Sequence, residues 1–139
     1  MAAFTKIEDF AKQVAEKAHN LSTDTLKVAL SNTAINAATA TQLSDVTQIS
    51  TNGGYAAATV TGLSGTEASG VYKLATSNNV TFTASGAAFD TFRYVVLYND
   101  SATNDLLIGY WDYGSAVDIT DGNSFTVDFD DTNGVLTLQ

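Results

Sequence analysis

The sequence predicts a mostly β domain, a β-sandwich or jelly-roll, preceded by one N-terminal α-helix. Three observations predict it. Apolar residues recur at helical spacing only between residues 5 and 19. From Asp24 onward, short alternating stretches follow one another, punctuated by Asn, Asp and Gly. The chain has no proline, so no stretch is interrupted by one. Its 139 residues fit a single domain, 1–139, with a helix at 5–19 and a β body at 24–139.

The helix is argued from its face and its ends. Ile7, Phe10, Val14 and Ala18 fall three and four residues apart, with Ala11 beside them. Thr5 and Glu8 have the spacing of a capping box. Glu8 and Lys12 stand four apart in the favourable order. Lys17 and His19 are expected in the last turn, solvated and favoured by the helix dipole, with Asn20 as the cap beyond. A helix this short is marginal in water, so its apolar face must pack on something.

Leu26, Val28 and Leu30 alternate with Thr25, Lys27 and Ala29, which predicts a strand with one buried face. Residues 31–55 are small and polar and predict a long surface loop, with a short strand at 46–50. Further strands are expected at 55–62, 70–75, 79–84, 91–99, 105–113, 116–119, 123–130 and 134–138. Asn99 to Asp105 reads as a polar hairpin tip, and Asn133-Gly134 as a tight turn joining the last two strands.

The stretch 91–113 is apolar on both faces. Phe92, Tyr94, Val96 and Tyr98 alternate with Arg93, Val95 and Leu97, and the returning strand behaves alike. A sheet with one wet face should alternate apolar and polar. The second face is therefore covered by the helix, by another subunit, or by both. Phe10, Val14, Tyr94, Tyr98, Tyr110, Trp111 and Tyr113 are the candidate subunit-interface residues. The aromatics among them also suggest a sugar-stacking platform, although core and interface packing is the stronger reading.

Charge excludes several functions. Lys6, Lys12, Lys17 and Lys27 balance Glu8, Asp9, Glu16 and Asp24 over residues 1–30, so the β body carries the whole net charge of -9. Phosphate backbones and anionic membrane surfaces repel such a body. No apolar run reaches the roughly 20 residues of a membrane span. The N-terminus lacks the pattern of a secretory signal, which points to synthesis in the cytoplasm. Charged residues are only 15% of the chain, against a typical value of about 25%. Such a surface suits a subunit packed among others.

Nothing in the sequence assembles into chemistry. The chain lacks cysteine, and His19 is the sole histidine with no nucleophile or orienting partner specified. Asp128, Asp130 and Asp131 miss the spacing of a calcium loop, and Asp118 and Asp121 flank a turn; Asx turns explain them more simply than bound calcium. A non-enzymatic protein without cofactor or metal is expected.

Four segments together resemble a known family: FTKIEDFAKQVAEKAHNL, DTLKVALSNTA, the hairpin FRYVVLYND…LIGYWDYG and the ending DGNSFTVDFDDTNGVLTL. They look like the capsid decoration, or cement, proteins of tailed bacteriophages. The resemblance covers most of the chain. It implies a virion structural protein on the capsid exterior, made in the cytoplasm of a bacterial host. Its implied partners are the major capsid protein and further copies of itself, as a dimer or trimer, with no nucleic acid and no membrane. A phage tail, adaptor or fibre component is the alternative, and a carbohydrate-binding β-sandwich module the second.

Overall fold

The computed structural model describes residues 2–139. It is mostly β, with antiparallel sheets and a single α-helix among the described residues. The elements are β1 (Phe4–Lys6), α1 (Asp9–Ala15), β2 (Leu26–Ser31), β3 (Ala58–Thr59), β4 (Leu63–Ala68), β5 (Val71–Thr76), β6 (Val80–Thr83), β7 (Phe92–Asn99), β8 (Leu106–Val117), β9 (Ser124–Val127) and β10 (Leu136–Leu138). The main sheet has the order β1-β8-β7-β2-β3, and smaller sheets pair β10-β5-β4 and β6-β9. Trp111 and Tyr113 of β8 meet Phe129 at 5.8 Å and Phe125 of β9 at 5.4 Å. One face of the main sheet thus packs on the smaller sheets in a sandwich-like arrangement.

The helix is shorter than its pattern. Phe4–Lys6 is a strand, because pairing with β8 sets Phe4 against Trp111, their ring centroids 4.8 Å apart. The Thr5–Glu8 capping box does not form: Thr5 is paired with Tyr110, and Glu8 caps without a side-chain bond. At the other end the chain turns sharply at Lys17, whose φ is 65°. Lys17 N–H donates to the Val14 carbonyl and Ala18 N–H to that of Gln13, the paired bonds of a Schellman stop. Lys17 therefore ends the helix, and neither Asn20 nor His19 belongs to it.

The body departs from expectation in four places. β4 falls between the expected strands at 55–62 and 70–75, yet all six of its residues pair with β5. Residues 46–50 form no strand beyond a bridge between Gln48 and Ser31. The stretches at 105–113 and 116–119 are one strand, β8. Asn133-Gly134 does not close a hairpin: β9 pairs with β6, and β10 with β5. There the Asp130 carboxylate accepts from the N–H groups of Thr132 and Asn133 and redirects the chain, so that Leu136 is buried opposite Leu74.

The segment 32–57 settles what lies over the second face of the main sheet. It leaves β2 at Ser31 and reaches the far edge of β8, where Leu107 N–H donates to the Thr41 carbonyl and Leu43 N–H to that of Asp105. It then returns, and Ile49 N–H donates to the Leu30 carbonyl. Ser31 and Leu106 lie at opposite ends of the sheet, so this strap crosses it diagonally in each direction. Val46 and Ile49 are buried along it. Register places Tyr94, Val96 and Tyr98 on one face with Ser31, Ala29 and Lys27. All three of the β7 residues are buried. The chain itself encloses the second face, with the strap crossing the sheet, where the sequence left the helix, a neighbour or both as its cover.

Candidate contact surfaces

Of the seven predicted interface residues, four are enclosed by their own chain. Phe10 is 1% exposed, Tyr98 and Trp111 3%, and Tyr94 8%. Val14, Tyr110 and Tyr113 are half-buried. The set is not one patch. Tyr110 packs edge-on against Tyr94 at 6.2 Å, whereas Tyr113 packs against Phe125 at 5.4 Å, beside a different sheet. Trp111 is clamped between Phe4 and Phe129, so it does not form one open platform with Tyr110 and Tyr113.

Tyrosine electrostatics follow the same enclosure. Burial, reinforced by the charges of Asp100 and Asp105, pushes the Tyr98 hydroxyl up to about 12. Burial raises Tyr113 as well, with Asp128 contributing. Neither ionises near neutral pH, so both serve as packing groups with a polar tip. Arg93 grips Asp112 in a two-point bridge, 2.7 and 3.0 Å, which holds the Asp112 carboxyl below its ordinary range.

A buried polar chain escaped sequence reading. His19 is 7% exposed, under the edge of the Phe10 ring at 5.0 Å. Asn99 Oδ1 accepts from the N–H groups of Ser101 and Ala102 (2.9 and 3.2 Å), which fixes its amide so that Nδ2 must donate. Nδ2 donates to Asp24 at 2.6 Å and to His19 Nδ1 at 3.0 Å. His19 Nδ1 is therefore an acceptor, and its Nε2–H donates to Gln13 Oε1 at 2.8 Å. Gln13 Nε2 ends the chain on Asp9 at 2.8 Å. The bond from Asn99 to Nδ1 requires neutral His19. Burial accordingly lowers its pKa, against the opposing pull of Asp24. This chain fastens residues 9–24 to the end of β7, and it is structural: no nucleophile stands in it.

The turn carboxylates have similar work. Asp118 accepts from Thr91, Asp121 from Gly86 N–H, Asp128 from Asn79, and Asp130 from Asn133. Among the described residues no cluster of three or more His, Cys, Asp or Glu is placed to hold a metal ion. No helix of the described residues is long and apolar enough to cross a membrane.

What the molecule does hold out is the β4–β5 hairpin. Ser64 to Ala68 are all exposed, and β4 is the edge of its sheet. The edge carries no proline, and its one charge, Glu67, bends back along the hairpin to accept from Gly70 N–H at 2.7 Å. Native edges are normally blunted against pairing. This one is not. Compared with models of known families, with curated proteins and with solved structures, the chain matches none of them.

Proposed function

We propose that the chain is a virion structural protein that binds the outer surface of a phage head and cements neighbouring major capsid subunits. The observation that carries this reading is the contrast between a core that closes on itself and an unprotected edge strand, β4, exposed beside it. A subunit added to a shell already assembled must fold beforehand and then present open backbone to its site. The segment-by-segment resemblance to decoration proteins supports the same reading. So does the acidic β body, which suits the side of a shell away from DNA.

Modest contacts suffice for such a role, because many copies bind one particle. Each adds apolar burial on the order of 25 cal/mol per Å2 before the costs of association. Cryo-electron microscopy of purified virions is the test. The expected result is density for this chain on the head exterior, at a copy number close to that of the major capsid protein. Density confined to the tail would replace this reading with that of a tail, adaptor or fibre component.

A further inference from the structure

A second open edge lies at the N-terminal strand. Ile7 N–H donates to the Ile108 carbonyl at 3.0 Å, in register with β1 and β8. Hydrogen-bonded pairs alternate along an antiparallel ladder, so Thr5–Tyr110 is the next such pair. The N–H and C=O groups of Phe4 and Lys6 then point away from β8, along the free edge of the five-stranded sheet.

That edge forms one wall of a groove of about 590 Å3. The floor is a row of register partners, Thr137, Lys73 and Thr66, sharing one face of β10, β5 and β4. Lys6 and Lys73 both line it. These are two of the six cations in a chain of net charge -9. Lys73 is steadied by donating to the Thr132 carbonyl at 3.1 Å, and the nearby Asp130 carboxylate feels its charge. Lys6 makes no salt bridge among the described residues. An open backbone edge, a floor of small and hydroxylated side chains, and two lysines in an acidic protein define a ligand by complementarity. It is extended, it offers backbone donors and acceptors, and it is negative.

We propose that this groove docks an extended acidic segment of another polypeptide, which adds a strand to the free edge of β1 and sets its carboxylates against Lys6 and Lys73. Backbone pairing supplies the affinity, and the lysines select the charge. The proposal goes beyond the decoration reading and holds whichever particle the chain belongs to.

The test uses the whole protein and a labelled synthetic peptide alternating valine and aspartate, with its valine–lysine counterpart as control, read by fluorescence anisotropy. Lys6→Pro is the informative variant. It deletes an N–H that pairs with nothing among the described residues, and proline is tolerated where an edge strand's N–H faces outward. The aspartate peptide should bind and the lysine peptide should not. Lys6→Pro should weaken binding by about tenfold or more with thermal stability nearly unchanged, and Lys73→Glu should act in the same direction. Equal binding of the two peptides, full binding by Lys6→Pro, no binding at millimolar peptide, or complete displacement by inorganic phosphate would each overturn the strand-docking proposal.

Discussion

Two hairpins of this molecule look alike in topology and have opposite fates. β7–β8 is long, aromatic and enclosed: the smaller sheets lie under one face, and the 32–57 strap crosses the other. β4–β5 is shorter, and its outer strand, mostly serine, glycine, threonine and alanine, stands in solvent while β5 buries Leu74. Aromatic richness therefore marks the core, and the exposed edge is marked by open backbone. An apolar strand is stable only when covered. A free edge of small residues costs little in isolation and gains hydrogen bonds when another chain arrives.

The largest effects should come from breaking the enclosed hairpin. Trp111→Ala empties the space between Phe4 and Phe129 and should cost about 4 kcal/mol, read as a shift in the urea midpoint. Phe10→Asp, which puts a charge into the same core, should be at least as damaging, leaving little folded protein by circular dichroism. If either variant keeps wild-type stability, the enclosure described above is wrong.

Next comes the polar chain behind the helix. Asn99→Ala strands His19 Nδ1 and the N–H groups of Ser101 and Ala102, and should cost about 2 kcal/mol in the same assay. Acid should loosen it too. A pKa lowered by folding means that the unfolded chain binds the proton more readily, so the contribution is complete above the unfolded value near 6.5. It is lost as pH falls from there through the lower folded value. Protonated Nδ1 would meet the Asn99 amide donor to donor, and that amide cannot turn without releasing two backbone N–H groups. Stability measured against pH should decline in this window for the wild type and much less for His19→Gln. The carboxylates held low by hydrogen bonds, Asp45, Asp90 and Asp130, lose their contributions only below about pH 4, so the two regimes separate.

The smallest stability effect belongs to the exposed edge strand β4. Ala68→Lys touches nothing buried and should change stability by less than about 0.5 kcal/mol. On the cement reading the same change should still lower occupancy on heads, measured by sedimentation with purified particles. Normal occupancy would show that the β4 edge is not the contact.

Much of this architecture was legible from residues alone. The alternation of Leu26, Val28 and Leu30 and the two-faced apolar pattern of 92–99 announced β2 and β7 correctly, because burial on one or both faces writes itself into composition. β4 was illegible because its residues are half of a ribbon stabilised by backbone pairing, which leaves no apolar signature. The strap reads as a long surface loop because its ties to β8 are backbone bonds, through the Thr41 carbonyl and the Leu43 N–H, which leave no pattern in the sequence. His19 was placed in solvent because helical periodicity extends past Lys17, where a left-handed residue stops the helix and folds the imidazole inward. The groove between Lys6 and Lys73 joins residues 67 positions apart, which no local pattern could bring together.

Hydrogen exchange on the isolated protein over a wide dilution series tests most directly whether this core closes without a partner. Amides of 92–99 and 106–111 should be strongly protected at every concentration, while the outward amides of 63–68 exchange fast. Protection of the aromatic hairpin that appears only as concentration rises would contradict the account, because it would mean that a neighbouring copy, and not the strap, covers that face.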